Sequence, residues 1–148
     1  MAVERQRELS RRQATSHCIT VHVGLDGHKE SIEIATADAG GGEVRHVGRV
    51  GGDLPALDAA LTRLRYPVSR MQIVYEAGPC GYAIYRHLAA RGIACAVVAP
   101  SLTPRRPGER IKTDRRDAVK LARLSRAGEL RVIRVPDAED ESIRNLAA

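Results

Sequence analysis

The 148-residue sequence contains no Phe and no Trp, and only four Tyr. A core must therefore be built from Ala, Val, Leu and Ile, and the aromatic platforms on which single-stranded nucleic acid stacks are missing. Long apolar runs are absent too. The longest, Ile93 to Ala99, falls far short of the roughly 20 residues that a membrane-spanning helix needs. The opening MAVERQRELSRRQ is charged throughout and lacks the apolar stretch of a secretory leader. Cysteine is scarce: Cys18, Cys80 and Cys95 are odd in number and show no C-x-x-C spacing. They indicate neither a disulfide framework nor a zinc site. These absences lead to the expectation of a soluble, cytoplasmic protein with no membrane partner.

What is present is a chain with 43% hydrophobic and 28% charged residues, enough apolar content for a core and short enough for one domain. The net charge is +6, and it is unevenly placed. Between Arg105 and Arg134 there are 11 Lys or Arg against four acids, a local balance of +7, so the rest of the chain carries −1. A single segment with the whole excess is the footprint of a polyanion partner, set against the commoner meaning of a charge run, a solvated helix face.

Along the chain, residues 1–17 read as a polar basic arm. Cys18–Asp26 and Ser31–Asp38 alternate apolar and polar residues, and Glu43–Val50 is a more polar third strand, together an antiparallel meander. Asp53 is placed to cap a helix carrying Leu54, Leu57, Leu61 and Leu64. A strand over 71–75 ends at Glu76, a helix covers 80–91, and an apolar strand covers 93–99. A helix is predicted from about Thr113 to Ala127, a short strand over 130–135, and the start of a connecting helix over 137–148. The order βββ, then αβαβα, predicts an α/β domain over 18–148. Its expected architecture is a mixed sheet flanked by helices, in the order of the ribonuclease H-like fold.

Four carboxylates hold candidate positions. Asp26 and Glu76 end predicted strands, where an acid points into a site or simply makes a turn or an exposed strand end. Asp114 and Asp117 share a helix face, where either Thr113 or Asp114 could instead serve as the N-cap. On a helical wheel, Asp114, Asp117, Leu121 and Leu124 form one stripe, expected to pack on the sheet, while Arg116, Lys120 and Arg123 form another. Acids on a packed face need neutralisation, and hard divalent cations supply it. Two such ions would clamp both oxygens of a phosphodiester displacement.

The runs VGLDGHKE (23–30), YEAGPCGYAIYRHLAARG (75–92), VVAPSLTPRRPGERIKTDRRDAVKLARL (97–124) and GELRVIRVPDAEDE (128–141) closely resemble the amino-terminal domain of the IS110 family. These are insertion-sequence transposases, also called DEDD transposases or bridge-RNA-guided recombinases. The resemblance implies a RuvC-like, ribonuclease H-like fold, with Asp26, Glu76, Asp114 and Asp117 as catalytic carboxylates. They would bind Mg²⁺ or Mn²⁺ for DNA strand cleavage and exchange. It implies nucleic-acid contact through Arg105, Arg106, Arg110, Lys112, Arg115, Arg116 and Lys120. DNA, a structured guide RNA and a dimeric or tetrameric assembly are the implied partners. Gly27 stands where the family's first motif usually has Val. Full-length members continue to a second domain with a serine nucleophile, which nothing here matches, so the chain is expected to be incomplete as a recombinase.

Three other readings remain at this point. A non-catalytic nucleic-acid-binding remnant would keep the basic segment, and a stand-alone RuvC-like junction nuclease would keep the carboxylates. A sugar-kinase or actin-like ATPase shares a strand ending in Asp-Gly, but expects a second glycine-rich phosphate loop. His28 is expected to be solvated or bonded to backbone, Lys29 a surface residue, Cys95 core, and Tyr82 and Tyr85 packing residues.

Overall fold

The computed structural model describes residues 19–78, 81–99 and 110–136, with the backbone alone for 110–115. Strands β1 (Val21–Gly27), β2 (Ser31–Asp38) and β3 (Arg45–Gly51) lead into helix α1 (Leu54–Arg63). A single 3-10 turn (Val68–Arg70) precedes β4 (Met71–Glu76), followed by helix α2 (Ala83–Ala90), strand β5 (Ala94–Val98) and helix α3 (Arg110–Ala127). The five strands form one sheet in the order β3-β2-β1-β4-β5. The meander is antiparallel as expected, whereas β1–β4 and β4–β5 are parallel. The sheet is therefore mixed.

Strand alternation assigns each side chain to a face. Val21, Val23 and Leu25 of β1, Ile32 and Ile34 of β2, and Met71, Ile73 and Tyr75 of β4 are all essentially inaccessible and pack with Leu57 and Leu61 of α1 and Ile84 and Leu88 of α2. The opposite face carries small residues. Gly24, Ala35 and Ala37 meet Ala118 and Ala122 of α3, and Val74 and Val98 meet Leu121. Both faces are thus covered, in a three-layer α/β/α arrangement.

Gly24 decides how close α3 comes. A Cβ there would lie 2.2 Å from the Ala118 carbonyl oxygen and 2.7 Å from the Ala122 nitrogen, so only glycine admits the helix backbone at this distance.

Several expectations change. Asp53 occupies the α1 N-cap position but makes no side-chain cap hydrogen bond. Helix α3 begins at Arg110, so Thr113 and Asp114 are inside it and neither is its N-cap. The packed stripe of α3 is centred on Ala118, Leu121 and Ala122; of the wheel's stripe Leu121 is buried, Asp117 and Leu124 are half-buried, and the Asp114 side chain lies outside the described residues. Weighting the wheel by leucines misplaced its centre, because close packing on Gly24, Ala35 and Ala37 favours alanines. Residues 130–135 make one isolated bridge, Val98 to Val132, rather than a strand. The predicted arm at 1–17 and the connecting helix at 137–148 lie outside the described residues. No helix among the described residues is long and apolar enough to cross a membrane.

Candidate functional site

Of the four predicted carboxylates, Asp26 and Glu76 stand at one end of the face that α3 covers, and Asp117 lies on α3 toward that end. Asp26 and Glu76 each follow the last register pair between β1 and β4, Leu25 with Tyr75, by one residue. They stand side by side at the carboxyl ends of adjacent parallel strands, on the face opposite Leu25 and Tyr75. Asp26 is only 7% exposed, and Glu76 is half-buried. Helix α3 sets Ala118 over Gly24 and Ser125 against His22, so it runs antiparallel to β1. Its earlier turns therefore lie at the Asp26 end. Asp117, half-buried, is one residue before Ala118, and the Asp114 backbone is one turn before it.

Loop contacts hold the strand ends in place. The His28 amide donates to the Ser31 carbonyl at 2.7 Å, closing the turn after β1. The His28 Nε2 is 3.0 Å from the Asp26 Oδ2, so the imidazole bonds a side chain while 40% of its side-chain surface stays exposed, as expected of a solvated residue. After β4, the buried Tyr75 hydroxyl donates to the Gly81 carbonyl at 3.0 Å and accepts from the Tyr85 amide at 3.2 Å. That fixes the chain on both sides of the turn that follows Glu76.

Sequence reasoning missed a buried acid. Glu33 is paired with Asp26 across β1 and β2 and is 1% exposed. Residues directly opposite on a sheet have their Cβ atoms ~5 Å apart, and two like charges at that spacing repel by about 3 kcal/mol at an effective dielectric near 20. Two side chains from β3 offset this. The His46 Nε2 is 2.5 Å from one Glu33 oxygen, and the Arg49 Nε donates to the other at 2.7 Å. Burial raises the Glu33 pKa, but the hydrogen bonds from His46 and Arg49 and their charges outweigh it, leaving the carboxyl below its ordinary value. In the sequence Glu33 occupies a polar position of an alternating strand, the ordinary pattern of a solvated side chain. The signal against that was the run of small residues sharing its face, Ala35 and Ala37.

The cationic predictions divide by region. Arg116 and Lys120 are exposed, on the side of α3 away from the sheet, and Arg123 continues their stripe. Arg110, Lys112 and Arg115 belong to α3, but their side chains lie outside the described residues, as Arg105 and Arg106 do entirely. Cys95 is buried in β5, as expected, and burial pushes its thiol up to about 12. Tyr82 and Tyr85 pack against the core.

A cleft of about 560 Å³ opens elsewhere, lined by His22, Gln72, Ser125 and Arg134 among others. His22 and Gln72 are at the amino ends of β1 and β4, four residues or ~13 Å from Asp26 and Glu76, so the cleft is separate from the carboxylates. Within it, the His22 Nδ1 lies 2.7 Å from the Ser125 Oγ. Burial first, and then the Arg126 charge, lower the pKa of His22. Among the described residues, no group of three or more His, Cys, Asp or Glu side chains is placed to hold a metal ion.

Comparison with known proteins adds the following. A family model of DEDD transposases of the IS110 type, described as "Transposase", matches residues 23–148. A transposase-like protein of Sinorhizobium fredii, y4qE, is 46% identical over 125 residues, covering 84% of this chain and 32% of that protein. The transposase for insertion sequence element IS1533 of Leptospira borgpetersenii is 36% identical over 126 residues, covering 84% of this chain and 36% of that protein. The chain thus spans about a third of the length of these relatives. Among solved structures, the Pelota protein of Thermoplasma acidophilum aligns with 82% of this chain and 42% of its own, at 15% identity and a TM-score of 0.36, too low to support an argument.

Proposed function

From the premise that this chain belongs to the IS110-type DEDD transposases, we propose that it is the carboxylate-bearing domain of a DNA transposase or recombinase. The observation that carries this reading is the placement of Asp26 and Glu76 at adjacent strand ends on one face, with Asp117 on the helix that covers it. Asp114, one turn before Ala118, completes the set of four.

The donor chemistry fits a hard divalent cation. Asp26, Glu76, Asp114 and Asp117 offer oxygen ligands only, the preference of Mg²⁺ and Mn²⁺. When bound there, the cation supplies Lewis-acid stabilisation of the charge that develops on phosphodiester oxygens. The chain's own residues do the rest. The tight seat of α3 on Gly24 fixes the helix carboxylates relative to the strand carboxylates. His28 holds the Asp26 carboxylate in one orientation. The exposed Arg116 and Lys120, with Arg105, Arg106, Arg110, Lys112 and Arg115, hold the DNA backbone. A structured guide RNA, a dimeric or tetrameric assembly, a cytoplasmic setting and a partner domain bearing a serine nucleophile complete the proposal.

Mn²⁺ calorimetry on the wild-type chain and on Asp26→Asn and Asp117→Asn tests it. Saturable binding lost in both variants is expected, since these residues come together only through the fold. Binding that neither substitution changes would favour a non-catalytic nucleic-acid-binding role, served by the basic stripe alone.

A further inference from the structure

Glu33 shares a sheet face with Asp26 and Glu76, yet it is not disposed as a cation ligand, because both of its oxygens are engaged by side chains. A bulge in β3 builds this arrangement. Residues three apart on a regular strand face opposite sides, but here His46 and Arg49 reach the same carboxylate. The register shifts between Ile34 and Ala35, so that Gly48 pairs with Ile34 and His46 with Ala35, and Val47 is the extra residue. Gly48, at a φ of +156°, provides the unusual backbone that the shift requires. Bulges of this kind recur beside active sites, where they re-aim a side chain.

Arg49 is engaged through Nε alone. Its side chain is 52% exposed, and among the described residues its two Nη groups donate no hydrogen bond. A guanidinium anchored by Nε to a buried carboxylate turns its far edge outward, and that edge presents two N–H donors spaced for phosphate oxygens. The residues Glu76, Asp26, Glu33 and Arg49 form one row across β4, β1, β2 and β3. At ~4.8 Å per strand, Arg49 stands ~10 Å from Asp26, about the axial rise of three nucleotides at ~3.4 Å each.

We propose that Arg49, held in position by Glu33 and His46, binds a backbone phosphate of DNA flanking the carboxylate site. The inference rests on the reading of the carboxylates as a DNA-processing centre. A purely structural ion pair would require neither the bulge nor the outward donor edge, and an apolar residue at position 33 would serve stability as well.

The test is the binding of a fluorescent 20-base-pair DNA duplex to the wild-type chain, Arg49→Gln and the double variant Glu33→Gln/Arg49→Gln, measured across salt concentrations. The double variant guards against misfolding, because it leaves no buried carboxylate without its arginine. Both variants are expected to bind more weakly whatever the duplex sequence, and to lose about 1 from the slope of log K against log salt. Glu33→Gln alone keeps the Arg49 charge but not its orientation. It is expected to weaken binding less than Arg49→Gln, with no added loss in the double variant, a non-additivity that a purely structural Glu33 would not produce. A wild-type chain that does not bind the duplex, or folded variants with wild-type affinity and slope, would overturn the proposal. So would a loss confined to an RNA duplex of the same length. Mn²⁺ binding separates this test from the underlying reading: Arg49→Gln keeps the wild-type Mn²⁺ affinity. A chain that bound DNA through Arg49 but took up no Mn²⁺ would overturn the carboxylate reading alone.

Discussion

Substituting Gly24 by Ala probes how α3 is seated, and with it the alignment of the carboxylates. The added methyl would lie 2.2 Å from the Ala118 carbonyl oxygen and 2.7 Å from the Ala122 nitrogen, where ordinary contact begins at 3.4 Å. The overlap is therefore about 1.2 Å, and it falls on helix backbone that cannot rotate away. The helix must lift. Overpacking of this kind costs ~1–3 kcal/mol, and the backbone contact places it toward the upper end. Alanine recovers ~0.4–1 kcal/mol by restricting the unfolded chain. The net loss of about 2 kcal/mol corresponds to a fall of roughly 4–8 °C in the thermal midpoint at this chain length. Circular dichroism melting measures it. Adding Ala118→Gly is expected to give no rescue, because the clash is with the main chain of residue 118 and not with its methyl. Since α3 carries Asp117, Mn²⁺ affinity is expected to fall roughly 10–100-fold, as when the supports of a metal site are altered. A midpoint within about 1 °C of wild type, or full rescue by Ala118→Gly, would refute the close seating of α3 on β1.

Two further outcomes follow from groups outside the carboxylate row. The pKa of His22 is depressed by burial and by Arg126, so below the ordinary histidine value of 6.5 the unfolded chain takes up a proton that the folded chain resists. Stability is therefore expected to fall from pH 7 toward pH 5, and His22→Gln to flatten that fall in melting curves; parallel curves for the two proteins would contradict the assignment. The Cys95 thiol, 7% exposed and pushed up to about 12, is expected to resist a maleimide at pH 8 in a Cys18→Ser/Cys80→Ser background until the chain is denatured. Stoichiometric labelling of the native protein would show that β5 is not buried as described.

Much of this architecture was legible because strand alternation and helical spacing survive in a chain built from Val, Ile, Leu and Ala. The meander, the two strands ending at Asp26 and Glu76, and the three helices all follow from such patterns, whereas the parallel pairing of those two strands came from the structure. What remained hidden depended on small residues. Gly24, Ala35, Ala37, Ala118 and Ala122 carry little hydrophobic weight, so a helix packed on the sheet was expected but the residues that make this covered face were not marked. Glu33, lying on it, looked solvated for that reason. The centre of the α3 stripe shifted from leucines to alanines on the same account. The β3 bulge was hidden too, since EVRHVGRV alternates acceptably as a regular strand; only Gly48 hinted at a break. Residues 130–135 read as a strand by composition, but form one bridge beside β5.

The central claim is that β1, β4 and the first turns of α3 together form one divalent-cation site. Iron(II) loaded in place of Mg²⁺, followed by ascorbate and peroxide, cuts a protein backbone only near the bound metal. The account predicts cuts clustered around Asp26, Glu76 and residues 114–117, suppressed by excess Mg²⁺ and absent in Asp26→Asn. Cleavage scattered along the chain, or at one of these segments without the others, would contradict it.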